Sequence, residues 1–582
     1  MSIIEFPAEL AIFADRINDY WISKIKNELS KIQEKSPTLK LDDWYFLIRN
    51  LLEDEENTSS VLWALCSKIA WIQADIEFFK NKSEFLIGEA EIQSDPLLLS
   101  YIGAGITEFI NADSGITMIG EGFSQLKASK DWLALLDITI PYILLLSNSN
   151  RKTTFKEIYL TTEQVFEDEL SSNPKYEHLF IPIQAFAFKK GILGPEIQID
   201  LFNSLKLMKK SRNHLNIGLL YTLMSHKEED EAFERHLEAA IQEFQMINAN
   251  NRLIIAYTNY ANYCASKAKH EEASEYLSKA FSLTKLLNKG IDSSLSLYPL
   301  IQQAWLLVEQ GQLQEAKETF KIILEKAQTF YCSHHQIKVE YGLAYVFFLE
   351  SQDDLALTHA KQALSIAEGL EIKDPQFQYD IQMKYADFLI DLNRLDMVSS
   401  LFETVNTDDL KNCSKAYYNY IKGKYEFRVH NIGIAKAFLH DAMKLAEADC
   451  PDFRSTLLYT LAEVYLNEYR LSEDSNILQE AQKMINESLE KLVGVPERTK
   501  GKCLLSIMLS AQGRNEEAEE LLETLITDSS KAIPRFQTLA EKLLENIHKS
   551  RVGSTPISPI TNIRDALRYL RDAKTMIDSQ SR

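Results

Sequence analysis

Gly311-Gln312-Leu313-Gln314-Glu315-Ala316 and Gly513-Arg514-Asn515-Glu516-Glu517-Ala518 are two instances of one pattern, and that pattern decides the fold. Twelve residues before each closing alanine stands another small residue, Ala304 in one case and Ser506 in the other. The same frame fits Ala261/Ala273, Ala344/Ala356, Ala386/Val398, Gly423/Ala435 and, with seven extra residues in the turn, Ala462/Ala481. Small side chains at both points let two antiparallel helices bring their backbones together. Recurrence at a nearly fixed period is the signature of a helical repeat array.

Marking the early small residue of each second helix gives Ile197, Ala232, Ala273, Ala316, Ala356, Val398, Ala435, Ala481 and Ala518. The gaps are 35, 41, 43, 40, 42, 37, 46 and 37 residues. Positions four and seven further on (Leu277 and Ala280, Phe320 and Ile323, Leu439 and Ala442) complete one helical face, the one that meets the partner helix. Five residues before the marker stand Gly311, Asn393 and Gly513, which tolerate the left-handed conformation that closes a helix. Pro299, Pro375, Pro451, Pro496 and Pro534 fall where new first helices begin, and Asp374 directly before Pro375 supplies a cap.

On these residues the chain resembles the tetratricopeptide repeat family, whose units carry small residues near positions 8, 20 and 27 and aromatics between them. Residues about 176 to 530 carry the resemblance, best in Leu300–Ala327, Tyr257–Leu287 and Cys503–Leu525. Most units exceed the family's usual 34 residues and are similar to the longer repeats of kinesin light chains and of prokaryotic regulators. The resemblance implies an all-α fold, a right-handed superhelical solenoid of antiparallel helix pairs.

The expected organisation is a helical bundle or cap over 1–90, degenerate repeats over 91–175, the solenoid over 176–549, a linker over 550–562 and an amphipathic helix over 563–582. In the first region, helices are expected over about 7–34, 41–54 and 58–80, with Trp21, Trp44, Trp63 and Trp71 in their interior. In the second, Ala104/Ile116 and Ile143/Phe155 extend the frame upstream. The linker follows from Ser550-Arg551-Val552-Gly553-Ser554-Thr555-Pro556-Ile557-Ser558-Pro559. Thr555-Pro556 and Ser558-Pro559 have the form of proline-directed phosphorylation sites. In the final helix Ile563, Leu567, Leu570 and Ile577 form one stripe. Residues 551–582 carry a net +3 and the remainder −24. Two roles suit this tail, capping the last repeat near Leu539, Leu543 and Ile547 or docking into an acidic groove, where a short tether keeps its local concentration high.

Bulk composition narrows the function classes. Hydrophobic residues make up 45% of 582, enough for a continuous core. No run of 18 uncharged apolar residues occurs, and the most apolar stretch, Ile138 to Leu146, is too short to cross a bilayer. The start of the chain, Met1 to Pro7, has no basic segment followed by an apolar core. With six cysteines far apart in sequence, the expectation is a cytoplasmic protein with reduced thiols and no membrane partner. A net charge of −21 argues against nucleic acid as a partner.

The residues offer little chemistry. Gly103-Ala104-Gly105 lacks the third glycine of a dinucleotide loop, because Glu108 stands at that offset; tight helix packing suits this stretch and Gly120-Glu121-Gly122. Cys332-Ser333-His334-His335 has no second ligand cluster and suits the start of a helix. Lys206, Lys209, Lys210 and Arg212 suit a helix end, where cations meet the dipole. No catalytic group and no cofactor are expected.

Arrays of this family often bind peptides along the groove lined by first helices. One version grips a terminal carboxylate with Lys and Asn four residues apart. The equivalent pair here is Thr258 and Asn262, so the lysine is missing. In later units the second position is Trp305, Tyr345, Asp387, Lys424 or Glu463. A second version uses groove asparagines to bond an extended peptide backbone. Asn259 and Asn262, with Tyr417 and Asn419 in a later unit, are the candidate peptide-binding residues. The expected function is a non-catalytic scaffold or adaptor that binds a protein or peptide on its concave face. The alternative is a ligand-responsive regulator or the regulatory subunit of an enzyme complex.

Overall fold

A computed structural model describes residues 6–551 apart from 34–38, 54–58, 149–151, 172–175, 190–191, 193–199, 226–229, 289–292, 371–374, 404, 406–409, 411, 451–452 and 529–532. The linker and final helix expected over 550–562 and 563–582 lie, from residue 552 onward, outside the described residues, as do Ile197, Asp374 and Pro451. Among the described residues there is no strand.

After a 3-10 segment, Ala8–Phe13, the helices alternate as first and second members of pairs. They are α1 (Asp19–Gln33) and α2 (Leu41–Glu53), α3 (Ser60–Gln73) and α4 (Ile76–Gln93), α5 (Pro96–Phe109) and α6 (Ala112–Ala128), α7 (Trp132–Asn148) and α8 (Lys152–Val165), α9 (Glu177–Lys189) and α10 (Leu201–Ser211). There follow α11 (His214–Ser225) and α12 (Asp230–Met246), α13 (Asn250–Ser266) and α14 (His270–Asn288), α15 (Leu297–Glu309) and α16 (Leu313–Thr329), α17 (Ser333–Leu349) and α18 (Asp353–Glu368). The last are α19 (Pro375–Asp391) and α20 (Ser399–Glu403), α21 (Asn412–Arg428) and α22 (Ile432–Asp449), α23 (Arg454–Ser472) and α24 (Ser475–Lys491), α25 (Val495–Ala511) and α26 (Asn515–Thr527), and α27 (Pro534–Arg551).

The small-residue ladder lies where the frame puts it. Ala304, Ala344, Ala386 and Ala462 on first helices, and Ala273, Ala316, Ala356, Val398, Ala435, Ala481 and Ala518 on second helices, have no exposed surface. A Cβ on Gly423 would stand 2.7 Å from Leu439 Cγ, so α21 and α22 touch at that point. The glycines of α5 and α6 do the same work further upstream. A Cβ on Gly115 would come 2.4 Å from the Gly103 carbonyl, and one on Gly122 2.6 Å from that of Pro96.

The turns keep one register. Gly311, Asn393 and Gly513 adopt φ of +80°, +58° and +78°. The equivalent position in three other pairs is left-handed too, although it is Ala268 (+59°), Ser351 (+62°) and His430 (+69°). Chain geometry rather than glycine content therefore sets the turn, and the non-glycine residues carry about 1–2 kcal/mol of local strain each. Pro375 and Pro534 open α19 and α27, and Pro496 is the second residue of α25. The helix expected over 58–80 is two helices, because Ala74 turns left-handed (φ 60°) and Asp75 starts α4 by accepting from the Phe78 amide. The segment expected as one helix over 7–34 divides into Ala8–Phe13 and α1.

The stack closes on itself every five pairs. α3 touches α13, α4 touches α14, α15 touches α25, and α17 touches α27. Ion pairs and hydrogen bonds seal these seams. At the first, Arg252 holds both oxygens of Glu108 at 3.0 Å while stacking 5.3 Å from the Trp71 ring, and Asn251 donates to the Trp71 carbonyl at 3.1 Å. At the second, Arg535 lies 3.9 Å from the Phe348 ring, donates to the Phe348 carbonyl at 2.5 Å and pairs with Asp353. A coil this tight brings the inner faces of its first helices toward a narrow axis, and that axis carries the polar residues described next.

Candidate functional site

The inner stripe of the second turn starts from the position directly after the small residue of each first helix. Those positions are Trp305, Tyr345, Asp387, Lys424 and Glu463 on α15, α17, α19, α21 and α23. Helical spacing of four adds Glu309, Tyr341, Asp391, Tyr420, Arg428 and Tyr459 to the same stripe. Tertiary packing joins them in sequence around the axis. Trp305 stands 6.0 Å from Tyr345 and 6.3 Å from Tyr341. The Tyr345 hydroxyl donates to Glu497 Oε1 of α25 at 2.5 Å, across the seam. Lys424 pairs with Asp387 and, at 2.9 Å, with Asp391. Arg428 stands 3.7 Å from Glu463. Lys500 of α25 lies 4.7 Å from the Tyr459 ring.

Signs therefore alternate over three helices, acidic on α19, basic on α21 and acidic on α23, while α25 brings both Glu497 and Lys500. Lys424 leaves water against Asp387 and Asp391, and Arg428 against Glu463, which offsets the cost of burial. Burial works to strip the proton from Lys424, but Asp387 and Asp391 outweigh it and hold the ammonium charged. Burial likewise works to raise Asp391, but Lys424, Lys500 and Arg428 outweigh it and hold that carboxyl down to about 2. Asp387, sharing the same ammonium, is raised by burial despite Lys424. Burial first, then the Glu497 carboxylate, push the Tyr345 phenol well above its ordinary value, and burial does the same to Tyr417 and Tyr459. Glu309 differs in facing a like charge. Burial, with Glu497 facing it, pushes its carboxyl up to about 7, and its Oε2 is buried without a hydrogen-bond partner.

The four candidate residues take different positions. Asn259, half-buried on α13, accepts the Tyr298 hydroxyl at 2.8 Å and so ties α13 to α15. Asn262, one turn further on, is exposed. Tyr417 lies on the inner stripe of α21, 5.8 Å from Phe453 and 5.9 Å from Tyr420. Asn419 is half-buried and, two residues on from Tyr417, is rotated about 200° around the helix, off the stripe. The structure thus brings Tyr417 into the axial network and gives Asn259 a partner within the chain.

Sequence reasoning passed over the axial network itself. In sequence, the position that carries Tyr345, Asp387, Lys424 and Glu463 stands out only as the place where a lysine–asparagine clamp is missing. The usable signal was the alternation of sign at one position through successive units.

Other motifs have local explanations. Cys332 caps α17, with its thiol pushed up to about 12 by burial, and burial pushes His335 down to about 3. Among the described residues no group of three or more His, Cys, Asp and Glu side chains is placed to hold a metal ion. No described helix is long and apolar enough to cross a membrane. Lys209 and Lys210 close α10, where Arg212 turns left-handed. Glu108, at the offset where a dinucleotide loop needs glycine, is the acceptor at the first seam.

No family profile matches the chain, and no curated protein matches it in sequence. Among solved structures it is similar to yeast Tom70 at 16% identity and a TM-score of 0.34, over 85% of this chain and 98% of that one. It is similar to the APC/C hetero-tetramer Cut9–Hcn1 at 10% and 0.37, over 93% and 98%. It is similar to the human IFIT1 dimer with PPP-AAAA at 14% and 0.33, over 84% and 94%.

Proposed function

We propose that this chain is a non-catalytic scaffold that holds a segment of a partner protein along the inner face of its helix stack, in the cytoplasm. The observation that carries the reading is the inner stripe of tyrosines and alternating charges. Every group on it is a hydrogen-bonding or ion-pairing side chain presented by a rigid first helix. A preformed surface of that kind binds through many modest contacts rather than through one reacting centre. Asn262, exposed and outside the axial ion pairs, adds a donor beside it, and Asn419, on another face of α21, is the further candidate. Residues 563–582, with a basic excess opposite in sign to the remainder of the chain, are a competing occupant of the same face.

The test is affinity purification of the full chain, of a 1–550 truncation and of an Asn262→Ala/Tyr417→Phe/Asn419→Ala variant, each with mass spectrometry of what is recovered. A stoichiometric protein lost in the triple variant at unchanged melting temperature supports the reading. Greater recovery with the truncation assigns the tail a gating role. The same protein recovered equally by all three moves the interaction off these residues. No stoichiometric protein with any of them refutes the scaffold.

A further inference from the structure

The lumen of the first turn is already occupied. The segment Ala8–Phe13 touches α3, α7 and α11, first helices of alternate pairs, so it lies across the inside of the coil rather than along its surface. Leu10 and Phe13 have no exposed surface, and Glu9 keeps only 3%. Glu9 Oε1 accepts the His214 amide at 2.7 Å, placing a carboxylate on the first N–H of α11, where the helix dipole favours it. Arg16 forks onto both oxygens of Asp131, at the start of α7, at 2.6 Å. Against the segment lies a second polar layer: Lys68, 5.9 Å from the Phe13 ring, pairs with Asp137 at 2.7 Å, and the Tyr101 hydroxyl bonds the same carboxylate.

The fit is incomplete in one place. Between Glu9, Lys68, Asp137, Asn213 and Asn216 a cavity of about 10 Å³ remains, the size of one water molecule. The Asn216 side chain lines it at 2% exposure, and its Nδ2 has no hydrogen-bond partner. The resident segment makes no hydrogen bond to that amide. The segment itself is held by Leu10, Phe13 and Ile17, by the Phe6 ring 4.7 Å from that of Trp44, by one carboxylate and by one arginine, and a 3-10 helix has poor internal hydrogen bonds of its own.

We propose that the first turn is a receptor for a short amphipathic segment and that residues 6–17 are its built-in, exchangeable occupant. The partner it fits is a protein segment with a carboxylate, an aliphatic residue next to it, an aromatic four residues after the carboxylate and an arginine seven after it, as Glu9, Leu10, Phe13 and Arg16 are spaced. An additional acceptor reaching Asn216 favours such a partner over the resident segment. This site is separate from the inner stripe of the second turn, and its failure leaves that reading untouched.

The experiment uses the full chain and a fluorescent peptide of residues 6–18. A Leu10→Glu/Phe13→Glu variant, which ejects the resident segment, should bind the peptide at least tenfold more tightly than the natural chain does. Peptide carrying Glu9→Gln and Arg16→Ala should bind at least tenfold more weakly than the natural peptide. A variant with unchanged helicity and melting temperature that binds no peptide overturns the proposal. Hydrogen exchange on the natural chain decides the case should that variant fold poorly. Residues 8–17 opening at least tenfold faster than α3 supports exchange, and protection equal to that of α3 overturns it.

Discussion

Replacing Glu309 with glutamine should stabilise the second turn at pH 8 and not at pH 5. Glu309 ends α15 at the seam with α25, where burial and Glu497 raise its carboxyl from an ordinary 4.5 to about 7. A group raised on folding is bound to its proton in the native chain and not in the unfolded one between those two values. Its contribution is thus fully present below pH 4.5 and lost as pH rises through about 7. At about 1.4 kcal/mol for each pH unit separating the two values, the loss has a ceiling of about 3 kcal/mol. Glu309 is only half-buried, so water screens part of it and about 1–2 kcal/mol is the expected size. Glutamine removes the charge, keeps the shape and can donate to Glu497. For a cooperative block of about 150–250 residues this amounts to a melting shift of roughly 2–8 °C at pH 8. Thermal unfolding of both proteins at pH 5, 6, 7 and 8 reads the shift, and hydrogen exchange of peptides from α15 and α25 locates it. Equal shifts at pH 5 and pH 8, or a less stable variant at pH 8, would refute the placement of Glu309 against Glu497.

Three further outcomes follow from the packing. Lys424→Met leaves Asp387 and Asp391 buried without their ammonium and should cost about 3–5 kcal/mol in denaturant unfolding, part of it regained in Lys424→Met/Asp387→Asn/Asp391→Asn; a loss below 1 kcal/mol would contradict a buried pair. Asn259→Ala should cost about 1–3 kcal/mol by orphaning the Tyr298 hydroxyl, whereas exposed Asn262→Ala should stay within about 0.5 kcal/mol, and equal effects would dissociate Asn259 from Tyr298. Ser351→Gly and Ala268→Gly should each stabilise by about 0.5–1 kcal/mol, since glycine relieves a left-handed position that the pair geometry imposes; no gain in melting temperature would mean that those turns are unstrained.

The pairs were legible because their determinants are local. Small residues twelve apart, a left-handed turn five residues before the second of them, and proline at the next first helix all act within one unit. The residues they mark are buried from Ala261/Ala273 to Ser506/Ala518 and, upstream, at Ala104/Ile116 and Ile143/Phe155. The break at Ala74 was not legible, because an alanine carries no mark of the left-handed conformation that packing forces on it. The candidate groove residues were chosen by type, and type does not say which way a residue faces: Asn259 turned out to be bonded to Tyr298, and Asn419 to sit off the stripe that holds Tyr417.

By itself, then, the amino-acid order determined that helices form, where most of them turn, and that they stack in pairs, because backbone conformation and nearest-neighbour packing depend on residues within some forty positions. Only the tertiary structure decided how tightly the stack curves. Curvature is the sum of small rotations between units, and no single unit encodes the total. That sum brings Tyr345 to Glu497, Arg252 to Glu108, Arg535 to Phe348 and Glu9 to His214, pairs that stand 152, 144, 187 and 205 residues apart. The charges that look like a solvated helix face in sequence meet partners there because five pairs complete a turn.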